Sequence, residues 1–270
     1  MIDEIKVVEK WNLREWWDRA TCVEDVIAKI TETKQSSRNI EQVLIFNYGR
    51  TVLCIKEILT LLMHGYPDGA LSIARTVYEI MIITKFIYDK YEEDNETDLI
   101  ELYFADHNVK AYKPLLKLHE WLYSCNSNTE EMKERIERLK KEIAEINDKY
   151  GKTHDQYWWA QKEFEKRVTF KKIDDITNSH LFLRVLYERA CIGIHASSMG
   201  SIALLGRQNE LGNVIYTTPT DEGFEVPLLL GMVSHDILVV ILCKHWNLDE
   251  EAILSNMDEL YEKYTINCLS

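Results

Sequence analysis

From Ala70 to Thr84 the chain carries only two charges, Arg75 and Glu79, and apolar side chains fall on every side of the helix that this spacing predicts. A helix that is apolar all round has no face to offer water, so other elements must enclose it. Two further stretches have the same character. The helix end that leads to His195 is followed by residues from Ala196 to Ser201 that are all small apart from Met199, with His195, Ser197 and Ser198 as the polar island. The run from Val226 to Cys243 is interrupted at its centre by Ser234, His235 and Asp236. A charge carried into such surroundings must be paired or it is expelled. Three apolar segments, each with a small polar island, therefore predict a core in which a few polar groups find partners.

Ten glycines and four prolines in 270 residues, against plentiful Leu, Ile, Glu and Lys, favour long helices over turn-rich sheets. We read an all-α helical bundle with a projecting charged helical hairpin and at most one small β-hairpin. Residues 1–35 form N-terminal accessory helices, residues 36–270 the main helical bundle, and residues 99–150 the projecting hairpin. Helical spacing runs from Ile40 to Met63, where Gly65-Tyr66-Pro67-Asp68-Gly69 supplies turn chemistry and Asp68 is placed to cap the next helix. Pro114 should end or kink the helix it lies in. Met132, Ile136, Leu139, Ile143 and Ile146 then make the narrow stripe of a helix that packs along one partner. Val214-Ile215-Tyr216 and Gly223-Phe224-Glu225-Val226 flank a turn-rich stretch and read as the hairpin. Helices from Pro227 to about Trp246 and from Asp249 to about Tyr264 follow.

The formal net charge of −13 repels nucleic acid and anionic lipid on average, while leaving room for a local basic groove. Cys22, Cys54, Cys125, Cys191, Cys243 and Cys268 show neither a C-x-x-C pair nor metal-ligand spacing, which reads as free thiols in a reducing compartment. The first residues lack the pattern of a signal peptide. A charge at the middle of Val226–Cys243 favours a buried helix over a membrane span. The expectation is a cytoplasmic protein with no membrane segment. Zinc-protease, di-iron, nucleophile-elbow, P-loop and dinucleotide-binding motifs are all missing, so neither a metal nor a cofactor is expected.

Arg75 and Glu79 stand four apart and share a helix face, where they can pair with each other or jointly hold a third group. The bland reading is a core salt bridge. In the functional reading Arg75 clamps an anion or phosphate through its planar fork, and Glu79 acts as general base or orients His195. His195, titrating near neutrality, would move a proton, or it is simply a core histidine bonded to a carbonyl. The adjacent His235 and Asp236 are a weaker fourth element. Such a pair suits a metal-dependent phosphohydrolase, but the further ligands that chemistry needs are not evident.

Ala74-Arg75-Thr76-Val77-Tyr78-Glu79, followed by Tyr187-x-x-x-Cys191-x-x-x-His195, resembles a bacterial all-helical domain family of unknown function over about Ile40 to Trp246. Its pattern is R-x-x-x-E on one helix and Y-x-x-x-S-x-x-x-H on a later one, with a Trp between them that Trp158 or Trp159 would supply. Cys191 stands where that family usually has serine. The resemblance adds Tyr78, Tyr187, Ser197 and Trp158, beside His235 and Asp236, as ligand-binding candidates. Arg189 and His195, five residues apart, also resemble the R-x(4–6)-H signature of HEPN ribonucleases, although Ala190 replaces a residue that is commonly polar there. That likeness implies Arg189 and His195 acting without metal on an RNA phosphodiester, in a site completed by a dimer. The leading expectation is a phosphodiester hydrolase for RNA or a nucleotide, in a bacterial phage-defence or toxin-like system. The alternatives are a non-catalytic sensor for a small anionic ligand or partner protein, and a structural assembly subunit. A homodimer or partner contact through the helix at 132–146 would fit any of them.

Overall fold

The computed structural model describes residues 4–33, 40–94, 97–125, 129–151, 155–177, 180–194, 208–209, 212–213, 219–220 and 222–249. Within them the chain is all-α. The helices are α1 (Glu4–Lys10), α2 (Leu13–Thr33), α3 (Ile40–Met63), α4 (Pro67–Asp94), α5 (Thr97–Ser124), α6 (Glu130–Tyr150), α7 (Phe170–Thr177), α8 (Leu181–Ile194) and α9 (Glu225–Trp246). A short 3₁₀ segment, Trp158–Glu163, precedes α7, and a two-residue antiparallel pair joins β1 (Gln208–Asn209) to β2 (Gly212–Asn213). Two compact units result. The first comprises residues 1–37, 41–88 and 177–270, and the second residues 38–40 and 89–176.

In the first unit, α3 and α4 fold back on each other at Gly65. This glycine takes φ +77°, and Tyr66 N–H and Gly65 N–H bond back to the Leu61 and Leu62 carbonyls, the left-handed helix stop that satisfies otherwise orphaned acceptors. Asn47 on α3 donates to Thr84 on α4 at 2.8 Å, as an antiparallel pair requires. Asp68 is not the cap of α4. Pro67 opens that helix, where its fixed φ is already suitable and its missing N–H costs nothing, so Asp68 lies inside the first turn.

Helix α9 is the most enclosed element, buried on all sides from Val226 to Cys243 apart from Val233, Ile237 and Val240. It is long and apolar enough to cross a membrane, yet 83% of its apolar window is buried inside the protein. Gly231 brings it against α3 and α4: a Cβ there would come within 2.9 Å of Ile58 Cδ1 and 3.8 Å of Ala74 Cβ. His245 lies 3.9 Å from Glu41, so α9 runs antiparallel to α3. The expected second hairpin arm is not a strand. Gly223 turns the chain at φ +84°, Phe224 packs on the Trp11 ring at 5.4 Å, and Glu225 and Val226 begin α9. Pro227 is tolerated there because the first turn of a helix has no use for its N–H. The other arm, Val214 to Tyr216, lies outside the described residues, as does the helix expected after Asp249.

The second unit is built on α5 and α6. Lys149 meets Glu101 at 3.7 Å and Lys140 meets Glu120 at 3.4 Å, which fixes the two helices antiparallel. The α6 stripe buries Ile136 and Leu139, and Thr129 caps the helix by accepting from Met132 N–H at 3.2 Å. Pro114 does not end α5, which runs unbroken to Ser124. The proline is exposed, so water can meet the carbonyl it leaves unbonded, and buried Leu102, Ala105 and Val109 before it and His119 after it hold the helix on either side.

Candidate functional site

Arg75 and Glu79 lie one turn apart on α4, with Arg75 Nη2 2.9 Å from Glu79 Oε1. Tyr187 on α8 donates its hydroxyl to that same oxygen at 2.9 Å. The Arg75 guanidinium sits 5.8 Å from the centre of the Tyr187 ring, and that ring stacks on Tyr78 at 4.7 Å with 29° between planes. Tyr78 is wholly buried, so its role is to hold the plane of Tyr187 from below rather than to touch a ligand. Cys191, one turn further along α8 and half-buried, is within hydrogen-bond reach of the Tyr187 hydroxyl. The side chains of Arg75 and Glu79 are each 26% exposed, so the cluster lies at the edge of the core and is open on one side.

The electrostatics bind these groups into one unit. Burial pushes the Tyr187 hydroxyl above its ordinary range, and the Glu79 charge adds to this by more than Arg75 takes away. Burial works against the Arg75 charge, yet its bond to Tyr187 and the negative charge of Glu79 outweigh that and hold the guanidinium above its usual value. Arg75 Nε is buried and has no hydrogen-bond partner among the described residues. The site thus contains a fixed cation, a carboxylate engaged by two donors, and a phenol that keeps its proton.

The remaining sequence-predicted residues fall elsewhere. His195 and Ser197 lie outside the described residues. Arg189, two positions beyond Tyr187, is on the exposed side of α8. Trp158 belongs to the second unit, where its ring lies 6.1 Å from Tyr150. It lines a cavity of about 570 Å³ there, beside a groove of about 500 Å³ framed by Phe104, Tyr112, Ile146 and Tyr150.

His235 and Asp236 form a second island on α9. Both are buried, and Asp236 Oδ1 accepts from His235 Nδ1 at 3.0 Å and from Arg19 Nη2 on α2 at 3.5 Å. Arg19 was not marked by the sequence pattern. The available signal was its place between Trp16 and Ala20, both buried, on the apolar side of α2. Among the described residues, no three His, Cys, Asp or Glu side chains gather as metal ligands.

Residues 41–212 match DUF5677, described as a family of unknown function. The matched span contains Arg75, Glu79, Tyr187 and Cys191, whereas His235 and Asp236 lie beyond it. No curated protein and no solved structure shows significant similarity to the chain.

Proposed function

The chain belongs to the DUF5677 family, and from that premise we propose that it is a phosphodiester hydrolase, acting on RNA or a nucleotide at the Arg75, Glu79 and Tyr187 cluster. The observation that carries the reading is the shared Glu79 Oε1, which holds both the Arg75 guanidinium and the Tyr187 hydroxyl at 2.9 Å. Arg75 takes a phosphate oxygen through the part of its fork that Glu79 does not use. Glu79 keeps the cation and the phenol in register. Tyr187, which retains its proton, turns that proton toward charge developing on a phosphate or leaving oxygen. His195, at the third place of the Tyr187-x-x-x-Cys191-x-x-x-His195 spacing, is assigned the proton transfer from the attacking hydroxyl.

A second reading has its own support. With Glu79 already engaged twice, the described residues contain no unoccupied general base at this site, an arrangement that suits a sensor which holds a phosphate-bearing ligand without turning it over. Purified protein incubated with RNA oligonucleotides, dinucleotides and mononucleotides, with and without divalent cation, separates the two. The hydrolase reading expects cleavage by the wild type, with losses of about 100-fold or more in Arg75→Ala and His195→Ala. Binding without cleavage, abolished in Arg75→Ala, would establish the sensor. Neither binding nor cleavage by folded wild-type protein would remove both.

A further inference from the structure

The island at His235 of α9, which lies beyond the family-matched residues, faces Tyr48 and Thr51 of α3 within them, and several of its enclosed polar atoms are without a partner among the described residues. Tyr48 Oη, Thr51 Oγ1 and His235 Nε2 are all buried, and none has a hydrogen-bond partner among the described residues. Tyr48 is 4% exposed, and Thr51 and His235 are 0% exposed. The contact of α3 with α9 sets these residues at one level. Gly231 of α9 approaches Ile55 and Ile58 of α3, and His245 approaches Glu41, so the antiparallel register sets His235, one turn after Gly231, at the level of Thr51. Tyr48 and Thr51, three apart, share a face of α3. The Tyr48 ring lies 5.9 Å from the His235 ring at 39°.

Their bonding capacities are complementary. Asp236 accepts from His235 Nδ1, and in the tautomer that carries its proton on Nδ1 the ring's Nε2 is a lone-pair acceptor. Burial, with the charges of Glu24 and Asp236 adding to it, pushes the Tyr48 hydroxyl above its ordinary range, so it remains a donor. The Thr51 hydroxyl can donate or accept. Groups so enclosed are rarely left unpaired in folded proteins, and a molecule that donates and accepts at once satisfies all three. A cation is disfavoured by Arg19 at 3.5 Å from Asp236, and an anion by Asp236 itself. The occupant must therefore be neutral and small.

We infer that the α3–α9 contact of the first unit is a binding site for an ordered water molecule, which donates to His235 Nε2 and accepts from Tyr48 Oη, with Thr51 Oγ1 as its third partner. This water ties α3 to α9 through polar contacts just where Asp236 ties α9 to α2.

A high-resolution crystal structure of the full chain tests this together with the ring ¹⁵N resonances of His235 in labelled protein. The expected result is a water peak within hydrogen-bond distance of His235 Nε2 and Tyr48 Oη, and an Nε2 resonance in the unprotonated range that shifts in Tyr48→Phe. Thr51→Val, which keeps the shape of the side chain, should keep the water but shift that resonance less, so the site can still be read if Tyr48→Phe fails to fold. A direct bond from Tyr48 or Thr51 to Nε2 with no peak between them would overturn the inference. So would a protonated Nε2, or an anomalous-scattering peak that marks a metal ion.

Discussion

The two polar islands of the first unit contain similar groups and solve different problems. Each joins an arginine to a carboxylate and places a tyrosine beside them, yet Arg75 and Glu79 are a quarter exposed whereas Arg19 and Asp236 are 10% and 6% exposed. At the edge of the core, water screens the pair and supplies missing bonds, so the pair adds little to stability and its geometry is available for a ligand. In the interior the same chemistry has to be satisfied by protein or by trapped water, and breaking it leaves a stranded charge. Exposure, rather than residue type, separates a candidate site from a structural fastening.

Substitution at the interior island should give the largest effect. Asp236→Ala leaves Arg19 and His235 buried without their acceptor, and a loss of about 3–5 kcal/mol is expected in urea denaturation. A loss below about 1 kcal/mol would put this island in the same class as the exposed one. Tyr187→Phe removes one hydrogen bond while keeping the stack on Tyr78, so a loss of about 0.5–1.5 kcal/mol is predicted from the same measurement. Arg75→Ala should cost about 0–1 kcal/mol, since its partner stays partly solvated, while abolishing the ligand binding or turnover proposed for it. A large stability loss there, with binding intact, would reverse the assignment of the two islands.

The two tyrosines sharpen the contrast further through pH. Both have folded-state values raised above the unfolded one, so their contribution to stability is complete below the ordinary tyrosine value of about 10 and is lost as pH rises beyond it. Alkaline denaturation midpoints should therefore move to higher pH in Tyr48→Phe and in Tyr187→Phe. The shift should be greater for Tyr48, the more deeply buried of the two. Equal shifts would mean that burial does not distinguish them.

Much of the fold was legible because long periodic segments leave few choices. The limits of α3 follow from its apolar spacing and the Gly65 stop, whereas the charge-poor stretch from Ala70 to Thr84 overstated the enclosure of α4, which buries the face of Ala70, Ala74, Val77 and Met81 and leaves Leu71, Ile73, Ile80 and Ile83 half-buried. What failed were local rules that tertiary contacts override. Pro114 was carried through α5 by the buried residues on either side of it, Pro67 displaced Asp68 from the cap, and the Gly223-Phe224 strand signal gave way once Phe224 found Trp11. At the site, the i,i+4 spacing of Arg75 and Glu79 was readable, and the family-like spacing picked out Tyr187. Arg19 was not, because one arginine on an otherwise amphipathic helix looks like any surface charge until its neighbours Trp16 and Ala20 are known to be buried. His195 and Ser197 lie outside the described residues, so the convergence of His195 on Arg75 and Glu79 remains part of the proposal.

Gly231 constrains how this sequence can change over time. A Cβ at that position would meet the tip of Ile58 at 2.9 Å, the flexible end of a side chain rather than backbone. An alanine there gains the helical preference that glycine forgoes, about 1 kcal/mol, and sets it against the crowding of Ile58. The two positions should therefore vary together among relatives, with alanine at 231 accompanied by valine at 58, and an Ile58→Val background should turn Gly231→Ala from near-neutral to stabilising.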